Sequence, residues 1–459
     1  MNTETICALA TAPGGALGII RISGPQSLEI LSRIFTKDLS DARANTIHYG
    51  HIVEHSADSA AVSQYPIDEV LVSVFRAPHS YTGEDSAEIS CHGSRYILNK
   101  VLELLIHNGC RMANPGEYTQ RAYLNGKLDL SQAEAVADLI ASTNQASHQL
   151  AISQLRGGIS TELSRLREQL LRLTSLLELE LDFSDHEDLE FADRTELLQL
   201  TDKIENRIAT LAHSFETGQA IKQGVPVAIV GKTNVGKSTL LNRLLKDERA
   251  IVSDIHGTTR DTIEDTIDIN GITFRFIDTA GIRQTTDQIE QIGISRTYQT
   301  IDRARIILWI IDALPSTTEQ EDIEARCQGK SLIIVCNKSD KGVTVANATF
   351  NIRYSAFLQI SAKTGQGIDE LETAIYQAAN IPDLSENDVI INNARHYEAL
   401  QRAHTSIIHV LEGLHNELSA DLLSEDLRQT LDILAEITGE QITPQETLNN
   451  IFQHFCVGK

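Results

Sequence analysis

Positive charge is what this chain has least of. In 459 residues, 39 Lys and Arg stand against 63 Asp and Glu, a formal net charge of −24. A folded surface this acidic repels phosphate backbones at long range, which excludes a general polyanion binder but leaves room for a local basic pocket. Long apolar runs are missing too: no stretch approaches the ~20 residues a membrane-spanning helix needs. The N-terminus has neither a basic start nor an extended apolar segment, so no signal peptide is expected. No Cys-x-x-Cys pair occurs. The six cysteines (Cys7, Cys91, Cys110, Cys327, Cys336 and Cys456) are scattered, as expected of reduced structural thiols in a cytoplasmic protein. Apolar content of 41% is enough for real cores, and the length suggests roughly two to four domains.

What is present centres on Gly231-Lys232-Thr233-Asn234-Val235-Gly236-Lys237-Ser238. It follows an apolar run, Val225 to Val230, that reads as a buried strand, and precedes a helical pattern opening at Thr239. Strand, glycine loop and helix in that order make a phosphate-binding loop. Its inward N–H groups and the positive helix end hold a polyphosphate. Lys237 reaches the β/γ oxygens and Ser238 offers its hydroxyl to Mg2+. Four companions follow in sequence. Gly257-Thr258-Thr259-Arg260-Asp261 places Thr259 to ligate Mg2+. Asp278-Thr279-Ala280-Gly281 closes the run Ile272 to Ile277. Asn337-Lys338-Ser339-Asp340 closes Leu332 to Cys336. Ser361-Ala362-Lys363 follows Phe357 to Ile360 and backs the base. A carboxylate at Asp340 accepts from guanine N1 and N2, a donor pair adenine lacks, so the site favours GTP over ATP. Together these define a Ras-like GTP-binding domain.

Hydrolysis leaves two positions open on the residues alone. Ile282 stands where many Ras-like proteins carry a water-orienting Gln, and an aliphatic chain cannot hold water. Asp287 or Glu290 can supply that function, and an exposed helix carboxylate describes Glu290 equally well. Asn234 lies beside the phosphates. Its carbonyl suits a monovalent cation, with backbone carbonyls of the loop Ser253, Asp254, Ile255, His256, Gly257 and Thr258 completing the shell. A loop-shaping role for Asn234 is the plainer alternative.

The fold class expected is α/β and α. Residues 1–120 read as a small α/β domain, with strands at Leu17 to Ile22 and at Val70, Val72 and Val74, the latter largely buried. Helices carry Leu28, Leu31 and Ile34, and Ile97, Val101, Leu104 and Leu105. Two turn-rich clusters, Thr11 to Gly15 and His79 to Asp85, read as connectors. Residues 121–223 are helical, opening with a Ser131-to-Glu134 capping box. Long stripes follow at Leu163, Leu166, Leu170, Leu173 and Leu177, then Leu197, Leu200, Ile204, Ile208 and Leu211. The acidic stretch Asp182 to Glu190 reads as a solvated junction. Residues 224–381 form the GTPase and 382–459 resume helices, with stripes at Leu411, Leu414 and Leu418 and at Leu423, Leu427, Leu431 and Leu434. A second capping box is expected at Thr443 to Glu446. The helices on either side pack into one bundle, with the GTPase inserted between them.

These features resemble the MnmE (TrmE) family of tRNA-modifying GTPases over essentially the whole chain. The resemblance is carried by Ala16-Leu17-Gly18-Ile19-Ile20-Arg21-Ile22-Ser23-Gly24, Ser80-Tyr81-Thr82-Gly83-Glu84-Asp85, Pro115-Gly116-Glu117-Tyr118-Thr119-Gln120-Arg121-Ala122, Leu124-Asn125-Gly126-Lys127-Leu128-Asp129-Leu130, and the ending Phe455-Cys456-Val457-Gly458-Lys459. The family implies an N-terminal domain that dimerises and binds 5-formyltetrahydrofolate or a related one-carbon folate. By position, Arg21, Glu88, Lys127 and Lys459 belong to that pocket. It also implies GTPase domains that pair across bound K+, held by Asn234, Ser253, Ile255 and Thr258, with Glu290 placing the water. His256 stands where a small residue is usual, and its ring is expected to point outward. Cys456 reads as a packing residue rather than a nucleophile. The implied partners are a second copy, the flavoprotein MnmG in a heterotetramer, and tRNA. The product is an aminomethyl or carboxymethylaminomethyl group on C5 of wobble uridine. A ribosome-assembly GTPase is the competing reading; it calls for a basic RNA-binding appendage that the sequence lacks. A nucleotide-driven scaffold without one-carbon chemistry is the third.

Overall fold

The computed structural model describes residues 4–54, 66–182, 194–246, 265–277, 300–342, 350, 352–382, 388–440, 445–453, 455 and 457–458. In chain order the N-terminal part runs β1 (Ile6–Leu9), β2 (Leu17–Ser23), α1 (Ser27–Ile34), β3 (Thr46–Ile52), β4 (Asp68–Phe75), β5 (Ser86–His92), α2 (Arg95–His107), β6 (Arg111–Met112) and α3 (Glu117–Leu124). Helices α4 (Leu130–Ala141), α5 (Gln145–Leu155), α6 (Gly158–Asp182) and α7 (Arg194–Gln223) follow. Next come β7 (Val225–Val230), α8 (Lys237–Lys246), β8 (Asp265–Ile269), β9 (Ile272–Phe276), β10 (Ile306–Ile311), α9 (Thr317–Arg326), β11 (Ser331–Cys336), β12 (Ala356–Gln359) and α10 (Ile368–Ala378). Helices α11 (Ala394–His415), α12 (Ala420–Thr438) and α13 (Gln445–Phe452) close the chain. The contacts divide it into two compact units. One comprises residues 1–140, 154–208 and 399–459; the other comprises 141–153 and 209–398.

The first unit holds a sheet of described strands in the order β3-β4-β5-β2-β1-β6, antiparallel except for the β1–β6 pair. Alternation decides its faces. Ile20, Ile22, Val70, Val72, Val74, Ala87 and Ile89 point to one side and bury against Leu28, Leu31, Ile34, Leu98, Val101 and Leu105 of α1 and α2. The opposite face is covered at β1, where Ile6 and Ala8 are buried with Ala113 and Tyr118, and open towards β3 and β4. There Leu17, Ile47, Tyr49 and Leu71 are exposed, so β4 is buried on one face only rather than largely buried as its composition suggests. On the helical side, Leu163, Leu166, Leu170, Leu173 and Leu177 of α6 are buried and α6 packs against α12, joining segments from before and after residues 209–398 in one bundle.

Two helix boundaries differ from expectation. Helix α4 starts at Leu130, so the cap is Asp129 and not Ser131. The Asp129 carboxylate accepts from Gln132 N at 2.9 Å, while Gln132 Oε1 accepts from Asp129 N at 3.0 Å. Ser131 lies inside the helix and donates its hydroxyl to Asp129. Helix α11 ends at His415, leaving Leu418 exposed beyond its stripe. The box expected at Thr443 to Glu446 and the junction Asp182 to Glu190 fall mostly outside the described residues.

The second unit has the sheet order β12-β11-β10-β7-β9-β8, parallel except for the β8–β9 hairpin. Its central strands read as unbroken apolar runs because both faces are covered. In β10, Ile306, Leu308 and Ile310 enter one core, while Ile307, Trp309 and Ile311 enter the other. Cys7, Cys91, Cys110, Cys327 and Cys336 are buried thiols outside any disulfide. Burial pushes the Cys91 thiol up to about 12 and Cys327 to about 11. No helix among the described residues is long and apolar enough to cross a membrane.

Candidate functional site

The phosphate loop leaves the end of β7, flanked in the sheet by β10 and β9. Its glycines are demanded by neighbours. Gly231 has φ 148, and a Cβ there would lie 2.3 Å from the Ile310 carbonyl oxygen. Gly236 has φ 104, and its Cβ would lie 2.2 Å from Asn337 Nδ2. Asn234 is exposed at φ 62, a left-handed conformation that short amide side chains tolerate; this shape fits both readings of the residue. Val235 is buried beneath the loop. Lys237 opens α8 and donates to the carbonyls of Gly231 and Lys232, each at 2.7 Å. Burial lowers its pKa. Ser238 and Thr239 follow in the first turn, where the helix dipole favours an anion.

Asn337 ties this loop to the base corner. Buried after β11, it donates Nδ2 to Val235 O at 2.8 Å and accepts from Ala362 N at 2.9 Å. The Asp340 carboxylate accepts from the buried Ser361 hydroxyl at 2.8 Å, which fixes its orientation. Lys338, at φ 69, reaches back to Asp312 at 2.6 Å. Lys363 is exposed beside them. One unforeseen link is Lys232 to Glu319 at 2.6 Å. Glu319 closes a capping box with Ser316 at the start of α9, and the Lys232 bond, followed by the Ser316 N–H, holds its carboxyl below the usual range. Ser253, Asp254, Ile255, His256, Gly257, Thr258, Thr259, Asp278, Thr279, Ala280, Gly281, Ile282, Asp287 and Glu290 lie outside the described residues, as do Cys456 and Lys459.

The first unit carries a second arrangement, on the sheet face opposite α1 and α2. Arg21 and Glu88 are direct cross-strand partners. Arg21 donates to Glu88 Oε1 from Nε at 3.0 Å and Nη2 at 2.7 Å, and from Nη1 to the Gly458 carbonyl at 3.2 Å. Its guanidinium lies 5.6 Å from the ring centroids of both Tyr81 and Tyr118. Lys127 is exposed and donates to Pro78 O at 3.0 Å, meeting the loop that carries Tyr81. That loop is therefore more than a connector. Glu84 within it accepts from Ser23 at 2.8 Å and from Arg121 at 3.0 Å. The chain end is seated by Gly458 at φ 96, where a Cβ would lie 2.4 Å from Leu9 O. Tyr81, Tyr118 and the Arg121–Glu84 pair were not singled out as site residues from sequence. Their signal was there in the Ser-Tyr-Thr-Gly-Glu-Asp and Pro-Gly-Glu-Tyr-Thr motifs, but only the fold brings the β4–β5 loop with Tyr81 and helix α3 with Tyr118 to Arg21.

Comparison with known proteins matches a model described as the MnmE helical domain over residues 130–456 and one described as GTP-binding protein TrmE N-terminus over 5–127. Among curated relatives, the tRNA modification GTPase MnmE of Phocaeicola vulgatus is 56% identical, covering 100% of this chain and 99% of its own. Those of Bacteroides thetaiotaomicron and Porphyromonas gingivalis are 55% and 50% identical, each covering 100% of this chain and 100% and 98% of their own. The chain belongs to the MnmE (TrmE) family of tRNA modification GTPases.

Proposed function

We propose that this GTP hydrolase is stimulated by K+ and acts with the flavoprotein MnmG, in a heterotetramer, to install an aminomethyl or carboxymethylaminomethyl group on C5 of wobble uridine in certain tRNAs. The observation that carries the reading is the Arg21 clamp, occurring in the same chain as a GTP site. A guanidinium held by a carboxylate and faced by two tyrosine rings suits a flat heteroaromatic with a glutamate tail, as in 5-formyltetrahydrofolate. Arg21, Glu88 and Lys127, with Lys459, hold that group, which supplies a one-carbon unit when bound. The exposed Leu17, Ile47, Tyr49 and Leu71 share this sheet face. An apolar face of this kind is what a second copy would cover, supporting a homodimer built on residues 1–120. Residues 121–223 and 382–459 are then the helical domain and 224–381 the GTPase.

In the GTP site, Asn234 to Thr239 wrap the phosphates, Lys237 meets the β/γ oxygens, and Asp340 reads guanine against the Ser361-Ala362-Lys363 backing. Ser238 and Thr259 are the Mg2+ ligands. Asn234, with carbonyls of Ser253, Ile255 and Thr258, is the K+ shell, Asp278 to Gly281 face the γ-phosphate, and Glu290 positions the water. Hydrolysis is coupled to pairing of the GTPase domains. The setting is cytoplasmic, and the acidic surface suits a partner that makes most of the RNA contacts.

Wobble-uridine nucleoside analysis of cells lacking this chain tests the function. Loss of the modified nucleoside is expected, restored by the parent chain and not by Arg21→Ala; restoration by Arg21→Ala would overturn the folate assignment. Hydrolysis in KCl is expected to exceed that in NaCl by about tenfold or more, the scale of one added charge at the transition state. Equal rates would remove K+ from the site.

A further inference from the structure

We propose that Asn144, the start of α5 and the β8–β9 hairpin they grip relay the nucleotide state to the helical part of the chain. The inference rests on the chain being a GTP hydrolase, and on none of the potassium, folate or tRNA readings.

Segment 141–153 belongs to the compact unit of residues 209–398, although the chain on both sides of it belongs to the other unit. What draws it in is specific. Asn144 donates Nδ2 to Thr273 Oγ1 at 2.8 Å, while its Oδ1 caps α5 by accepting from Ser147 N at 2.7 Å. Ala146 N donates to Gly271 O at 3.0 Å. Asn270 and Gly271 form the two-residue turn between β8 and β9, with φ 52 and 79, as a tight hairpin requires. A Cβ on Gly271 would lie 3.1 Å from Gln145 Cβ, so the turn and α5 are already in close approach. Ala146 and Leu150 share a core with Ile267, Ile269, Ile272 and Phe274 of the hairpin.

The hairpin's other end explains why this matters. Strand β8 begins four residues after Asp261, and β9 ends two residues before Asp278. By chain connectivity, the sequences Gly257 to Asp261 and Asp278 to Gly281 are both continuous with this one hairpin. A bias imposed there by GTP or GDP reaches the turn through two hydrogen-bonded strands, and α5 is bonded to the turn. From α5 the chain continues directly into α4 on one side and α6 on the other. Coupling of this kind is reciprocal, so the helices bias the nucleotide site in turn.

Thr273→Val tests the relay, because it removes the acceptor on β9 and leaves the Asn144 cap intact. Hydrogen exchange is measured on the full chain loaded with GDP or with a non-hydrolysable GTP analogue. In the parent, peptides from α4 and the start of α6 should exchange differently with the two nucleotides. In Thr273→Val that difference should shrink by about fivefold or more, while the affinity for each nucleotide stays within about twofold. Asn144→Ala should do the same. A parent chain with no nucleotide-dependent difference in these helices would overturn the proposal. So would a Thr273→Val chain that keeps the difference, or one that loses nucleotide binding altogether, since the contact would then serve only to hold the fold.

Discussion

Alanine at position 236 is expected to lower the affinity for guanine nucleotide by more than about a hundredfold. Two costs add. Gly236 sits at φ 104, where an L side chain is strained by about 1–3 kcal/mol. The new Cβ would also lie 2.2 Å from Asn337 Nδ2, an atom that cannot retreat without giving up its bond to Val235 O. Asn337 also bonds Ala362, so its displacement disturbs the phosphate loop and the base corner together. At ~1.4 kcal/mol per tenfold, a total near 3 kcal/mol gives the stated loss. Titration with a fluorescent GDP analogue reads it, with circular dichroism as a check that the chain is folded. Affinity within about fivefold of the parent would mean that the loop is less tightly built than its contacts indicate.

The second large effect concerns stability. Arg121 is nearly buried beside the loop that carries Tyr81. It bonds Glu84 at 3.0 Å, Glu117 at 2.9 Å and the Glu4 carbonyl at 3.0 Å. Arg121→Ala removes one partner each from Glu84 and the buried Glu117, although Arg111 still holds Glu117, a loss of about 2–3 kcal/mol, or a fall of roughly 5–10 °C in the unfolding midpoint of the first unit. Arg165→Ala is the control: Arg165 is exposed and meets Glu162 at 3.4 Å, so its removal should cost under ~0.5 kcal/mol. The network also sets an acid limit. Burial alone would raise the Glu117 carboxyl, but bonds from Arg111, the Asn114 N–H and Arg121 outweigh it and the pKa ends lowered. A carboxylate lowered in the folded state stabilises fully above its unfolded pKa of ~4.3 and loses that contribution as pH falls through the folded value. The first unit is therefore expected to unfold more readily as pH drops below about 4, and differential scanning calorimetry across that range would show it.

The parts of this fold that were legible in sequence are the locally encoded ones. A glycine loop between an apolar strand and a helix announces itself in eight residues, and the runs into Asp278 and Asn337 are read the same way. The Arg21 clamp was only half legible. Arg21 and Glu88 carry charge that asks for a partner, but Tyr81 and Tyr118 join them from a loop and a helix, by tertiary packing that no local pattern encodes. Asp129 was missed as a cap because Asp-Leu-Ser-Gln and Ser-Gln-Ala-Glu both satisfy the same pattern. Only the reciprocal bonds between Asp129 and Gln132 decide between them. Docking of α5 on the hairpin was invisible, since Ala146 and Leu150 are too few and too small to mark an apolar face. The strand at Val70, Val72 and Val74 looked largely buried because composition cannot tell which face of a sheet lacks a covering layer.

The five thiols enclosed in the two cores bear on how this chain can be studied. Maleimide and nitroxide reagents attack thiolates they can reach, so these five will stay silent at neutral pH. With Cys456 replaced by serine, a cysteine introduced on the outer surface of α9 becomes a lone attachment point for a dye or spin label. Energy transfer or pulsed electron resonance between two such copies would then test whether they approach during turnover, without first rebuilding the interior.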